Sequence, residues 1–101
     1  MAKDEGFEWN LKARELEAKG DIDKAILFYE RALQANFDGN GPYDRLSILY
    51  RKRKQYKDEI RVLTHAIYVF ETFVSDERSD KYPKLERFKV RLQKVKDLEN
   101  V

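Results

Sequence analysis

Gly20-Asp21-Ile22-Asp23-Lys24-Ala25-Ile26 places a helix stop directly beside a helix start. Glycine is the usual residue just past a helix C-terminus. The Asp21 side chain is suited to accept hydrogen bonds from the free amides of a following first turn. Downstream, Ile22, Ala25, Ile26, Tyr29, Ala32 and Leu33 form a wide apolar face, which predicts a helix running to about Ala35. Upstream, Trp9, Ala13 and Leu16 recur at spacings of four and three, which predicts a helix over Phe7 to Lys19. So short a break between the two makes them an antiparallel pair.

The remaining punctuation divides the rest of the chain in the same way. Asn36-Phe37-Asp38-Gly39-Asn40-Gly41 is a turn cluster, and Pro42 suits the first turn of a third helix reaching about Lys54. That helix is expected to bury Tyr43, Leu46, Ser47 and Tyr50. Gln55 to Asp58 reads as a short break. Ile60, Leu63, Ala66 and Ile67 then carry a fourth helix through Phe70 and Phe73. Ser75 to Tyr82 is polar and reads as a loop. Pro83 opens a last helix in which Leu85, Phe88, Leu92 and Val95 are spaced three, four and three apart. No strand alternation persists, so the fold class is all-α.

The two hairpins repeat each other. Ala13 and Ser47, Leu16 and Tyr50, Ile22 and Tyr56, Ile26 and Ile60, and Ala32 and Ala66 each lie 34 residues apart. Together with Trp9, Gly20, Ala25, Tyr29 and Leu33, this pattern resembles the tetratricopeptide repeat family, whose paired helices cannot bury their apolar face without a neighbour. The resemblance implies one domain over residues 1–101, a right-handed superhelix of two antiparallel hairpins plus a C-terminal helix. Repeat one would span about 6–39, repeat two about 40–73, and a capping helix about 83–99. Such arrays generally want about three units, so the extra turn of the fourth helix, the last helix or a second chain must add burial.

Three positions depart from the family pattern. Lys12 replaces a large apolar residue, Phe37 replaces a loop proline, and Glu59 replaces a small residue at the helical crossing. Either the fourth helix is turned so that Glu59 reaches solvent, or Glu59 is buried beside a cation, because an unpaired buried carboxylate is costly.

The resemblance also implies a concave groove lined by the first helix of each hairpin. Asn10, Arg14 and Glu17 would form one groove stripe, and Asp44, Ile48, Arg51 and Lys52 the next, presented to a peptide or protein segment. The clamp with which some members hold a C-terminal carboxylate is not reproduced. Asn10 stands at its first lysine, and Arg14 and Arg45 stand at its two asparagines.

Composition narrows the function further. Lys and Arg number 21 against 19 Asp and Glu, so no global field favours nucleic acid or an anionic membrane. With no cysteine there is no disulfide, thiolate metal site or cysteine nucleophile. The amino terminus, Met-Ala-Lys-Asp-Glu-Gly, has no apolar run of the signal-peptide kind, and the chain is read as cytoplasmic and not membrane-bound. His65 is the only histidine and has no oriented partner by spacing. Acidic neighbours such as Glu15 with Glu17, or Asp58 with Glu59, diverge around a helix. The expectation is a binding protein, not an enzyme, with no metal or cofactor.

Two alternatives remain. The dense apolar segment from Tyr68 to Val74 either packs on the last helix or leaves a homodimer surface of Phe70, Phe73, Phe88 and Leu92. Arg51-Lys52-Arg53-Lys54 and the basic last helix (Lys84, Arg87, Lys89, Arg91, Lys94, Lys96) offer nucleic-acid binding, although the first run also suits a solvated helix C-terminus.

Overall fold

A computed structural model describes the backbone of residues 2–101 and the side chains of residues 5–101, so the first residues of the amino-terminal reading lie outside the described side chains. Five helices follow one another: α1 (Ala2–Ala18), α2 (Ile22–Gln34), α3 (Gly41–Lys52), α4 (Tyr56–Phe73) and α5 (Lys81–Glu99). There is no strand among the described residues. Each helix packs against the next in sequence, and α2 also touches α4.

Three boundaries differ from expectation, each for a local reason. The α1 helix begins ahead of Phe7 and runs through Gly6, which is buried under Phe37: a Cβ on Gly6 would lie 2.8 Å from the Phe37 Cβ. Phe37 thus fills the loop with its ring, held between Gly6 and Gly39. The α4 helix begins at Tyr56, because the turn before it needs only Arg53 to Gln55. The α5 helix begins two residues ahead of Pro83. A first-turn proline forfeits no intrahelical hydrogen bond, since amides there have no intrahelical acceptor.

The backbone of the first turn recurs 34 residues later. Gly20 has φ +85° and Lys54 has φ +59°. The Gly20 amide donates to the Glu17 carbonyl at 3.0 Å and the Asp21 amide to Leu16 at 2.9 Å. Likewise, Lys54 donates to Arg51 at 3.0 Å and Gln55 to Tyr50 at 2.9 Å. This crossed pair of bonds closes a helix C-terminus on a left-handed residue. Asn36, with φ +56°, ends α2 in the same way. The caps that follow match as well: Asp21 and Gln55 have φ near −90° and ψ near 70°, and only Asp21 reaches back to an amide, that of Lys24.

The core runs the length of the chain. Ala13, Ala25, Tyr29 and Ala32 from the first pair join Tyr43, Leu46, Val62, Leu63, Ala66, Val69 and Phe70 from the second, all essentially inaccessible. Ser47 is buried at the place equivalent to Ala13 and turns its hydroxyl to the Asp44 carbonyl. This removes a polar group from the helix contact by satisfying it locally. Phe88 of α5 closes the far end, edge-on to Phe70 at 5.2 Å between centroids. Buried Lys81 then ties α5 to the end of α4 by donating to the Val74 carbonyl (2.8 Å) and to Asp76 (2.7 Å).

Of the two possibilities for Glu59, the buried one holds. Glu59 is 0% exposed and accepts two bonds from Arg51, Nε to Oε1 at 3.0 Å and Nη2 to Oε2 at 2.7 Å, with Arg91 of α5 at 4.0 Å. A planar guanidinium meeting a carboxylate in this paired geometry is among the stronger polar contacts available to a protein.

Two stability predictions follow from these contacts. Arg51→Met leaves a carboxylate buried without its main partner and should lower the unfolding free energy by about 3 kcal/mol in urea denaturation, whereas Arg51→Met with Glu59→Leu should recover part of it. Equal losses in the single and double variants would show that Glu59 is not held by this pair. Lys54→Gly should raise stability by up to about 1 kcal/mol, because glycine takes the left-handed region without a Cβ clash. A lowered melting temperature would contradict that assignment of strain.

Candidate functional site: a cleft between α1 and α3

The C-terminal half of α1 and the first turns of α3 face one another across an open cleft of about 560 Å³. It is lined by Asn10, Arg14, Glu17 and Ala18 of α1, Tyr29 of α2, and Asn40, Gly41, Asp44 and Arg45 at the start of α3. Asn10, Arg14 and Glu17 line it together because spacings of four and three keep them on one side of α1. Asp44 enters from the first turn of α3, where an acidic side chain also suits the helix dipole.

Four of the seven expected groove residues are therefore brought together: Asn10, Arg14, Glu17 and Asp44. The other three are not in the cleft lining. Ile48 is half-buried, and Lys52 is exposed at the end of α3. Arg51 is committed inward to Glu59, so it is not free to serve a ligand.

The cleft also contains contacts that local sequence did not mark. Arg45 clamps both oxygens of Glu17, with Nε at 3.1 Å from each and a short contact from Nη2. The Tyr29 hydroxyl donates to Glu17 Oε1 at 2.7 Å. Tyr29 belongs to the core, with only its hydroxyl reaching the cleft. Glu17 and Arg45 are remote in sequence and do not occupy equivalent repeat positions, so no spacing rule pairs them. Arg45 holds the Glu17 carboxyl below its ordinary value, against a burial effect that raises it, with Tyr29 assisting. Burial, then the bond to Glu17, pushes the Tyr29 hydroxyl far above its ordinary range, so it stays protonated and donates.

Asp44 is similarly occupied. It accepts from Asn40 Nδ2 and from Arg87 Nη2 of α5, both at 2.6 Å. Asn40 in turn accepts from Lys84 of α5 at 2.6 Å. Arg14 is exposed and forms no ion pair or hydrogen bond among the described residues. Asn10 is only 8% exposed, is wedged against Gly41, and its Oδ1 is buried without a donor.

The other expected surfaces resolve differently. Phe70 and Phe88 are fully buried against each other and Leu92 packs at the core edge, so these three do not form a surface. Aromatic packing within one chain has used them. Only Phe73 remains out, edge-on to exposed Tyr68 at 5.8 Å. In the basic run, Arg51 is taken by Glu59 and Arg53 by Asp23 at 2.7 Å, while Lys54 forms the turn. His65 bonds Asn36 Oδ1 through Nε2 at 2.8 Å, and burial lowers its pKa, which favours a neutral ring donating to Asn36. Its role is to hold the α2 exit turn against α4.

Among the described residues, no three His, Asp or Glu side chains are placed to share a metal ion, and no helix is long and apolar enough to cross a membrane. Comparison of the chain with protein-family models, curated proteins and solved structures gives no match.

The Glu17 contacts carry a pH signature. A carboxyl whose folded pKa is depressed stabilises the fold above its unfolded value, and this contribution is lost as pH falls below about 4.5 through the folded value. Arg45→Met should move the Glu17 titration upward in side-chain carbon NMR and weaken the acid dependence of stability. A titration unmoved by that substitution would remove Arg45 as its main cause.

Proposed function

We propose that this chain is a protein-interaction module whose α1/α3 cleft receives a segment of a partner polypeptide. Its two helix pairs are read as tetratricopeptide-like hairpins stacked in a right-handed superhelix with α5 as the closing helix. The carrying observation is the convergence of Asn10, Arg14, Glu17 and Asp44, from two different helices, around one open cleft. The matched left-handed turns at Gly20 and Lys54 support a repeated hairpin, and the matched burial of Ala13 with Ser47 and of Ala25 with Glu59 supports it further.

A cleft of this kind suits recognition better than reaction. Its carboxylates are held by guanidinium groups and its tyrosine is kept protonated, so these groups are fixed in position. Fixed polar groups discriminate among ligands by complementarity, because a mismatched partner leaves them unpaired.

Affinity capture by the parent chain should recover partners that Arg14→Glu loses and that Lys89→Glu, on α5 and outside the cleft lining, retains. Identical partner sets for all three would overturn the cleft as the binding site.

A further inference from the structure

The side of α5 turned away from the core is uncovered, and its side chains form a self-complementary row. Leu85, Phe88 and Val95 are buried against the rest of the molecule. On the opposite side Val90, Lys94, Asp97 and Val101 succeed one another at spacings of four, three and four, the seam spacing of paired helices. With Gln93 and Leu98 they line one shallow, open depression of about 590 Å³, to which no other element among the described residues contributes. Val90 is 59% and Leu98 37% exposed, so apolar surface flanks the charged middle of the row.

Charge decides what fits against this row. Lys84, Arg87, Lys89 and Arg91 of the same helix each stand against an acidic side chain. Lys94 and Asp97, by contrast, have no ion pair among the described residues, and Asp97 accepts only from Gln93 Nε2 at 3.0 Å. A two-fold interface brings the same patch of both copies together and requires it to complement itself. Laid antiparallel, Val90 meets Val101 of the other copy and Lys94 meets its Asp97, and symmetry repeats both contacts in reverse. A parallel pairing would set Lys94 on Lys94 and Asp97 on Asp97, so charge rejects it. A partner segment of one sign would match one of the two charges and oppose the other.

We propose that the outer face of α5 is a self-association surface, on which two copies of this chain pair antiparallel through Val90, Lys94, Asp97 and Val101. The apolar ends supply burial, and the central lysine and aspartate fix register and direction, the usual role of polar residues in a helical seam. Such a seam is only about two heptads long and falls below the area of a permanent dimer, so the association is weak and concentration-dependent. It uses neither the buried Phe70 and Phe88 nor the α1/α3 cleft, whose lining comes from other helices, and it stands whatever the cleft binds.

Sedimentation equilibrium of the full chain at low salt, at concentrations up to about 1 mM, should show a weight-average mass that climbs from the monomer toward the dimer. Lys94→Glu makes the middle of the row wholly negative and Asp97→Lys makes it wholly positive, so each variant alone should stay monomeric over the same range. Mixed in equal amounts, the two should associate, because each supplies the charges the other lacks. The double variant carrying both substitutions exchanges the charges and should associate like the parent. Both positions are exposed, and circular dichroism verifies that each variant keeps its helices. A parent chain that stays monomeric throughout would overturn the proposal, as would dimers that the single variants form as readily as the parent. Single variants that associate no better mixed than apart would overturn it as well.

Discussion

The pairing of Arg51 with Glu59 is the contact on which the second half of the molecule depends. A carboxylate at a fully buried helix crossing is tenable only when a cation arrives in good geometry, and here Arg51 of α3 does, with Arg91 of α5 standing farther off at 4.0 Å. The pair joins α3 to α4, while Arg91 brings α5 alongside. It also removes Arg51 from the set of groups a ligand can meet. An internal packing requirement therefore decides which side chains α3 leaves at its surface, because the same guanidinium cannot face both ways.

The two helix pairs solve one geometric problem with different chemistry. In the first, Ala13 and Ala25 are small and apolar at fully buried positions. In the second, the equivalent places hold Ser47, whose hydroxyl bonds the backbone, and Glu59, whose charge is cancelled by arginine. Both arrangements leave no unsatisfied group at these positions. The first does so without polar atoms and the second by pairing every one of them. The backbone turns at Gly20 and Lys54 share one hydrogen-bond pattern although their side chains differ so widely, because each closes on a left-handed residue.

The α5 helix does more than cover the apolar end. Its Leu85, Phe88 and Val95 bury the face left open by α4, while Lys84 and Arg87 reach to the start of α3 and fix the charge of the cleft wall. Closing the core and setting the character of the site are thus performed by one element from different faces. A short chain benefits from this economy, since few residues are spare once its core is filled.

The sequence by itself determined five helices, their order, the apolar faces and the 34-residue period, because these follow from local rules: spacing around a helix, glycine at a left-handed stop, proline in a first turn. It also marked Asn10, Arg14 and Glu17 as one stripe, since a single helix places them. What it could not determine was which cation meets which anion. Arg45 with Glu17, Arg87 with Asp44 and Arg51 with Glu59 are matches between helices, and with so many charges on the chain the spacing rules admit many such pairings. The fate of Phe70 and Phe88 was undecided for the same reason, as a ring dense in contacts looks alike from sequence whether its neighbour is α5 or a second molecule. Only the tertiary structure chose, by bringing remote residues within hydrogen-bond distance and leaving Arg14 without an ion pair among the described residues.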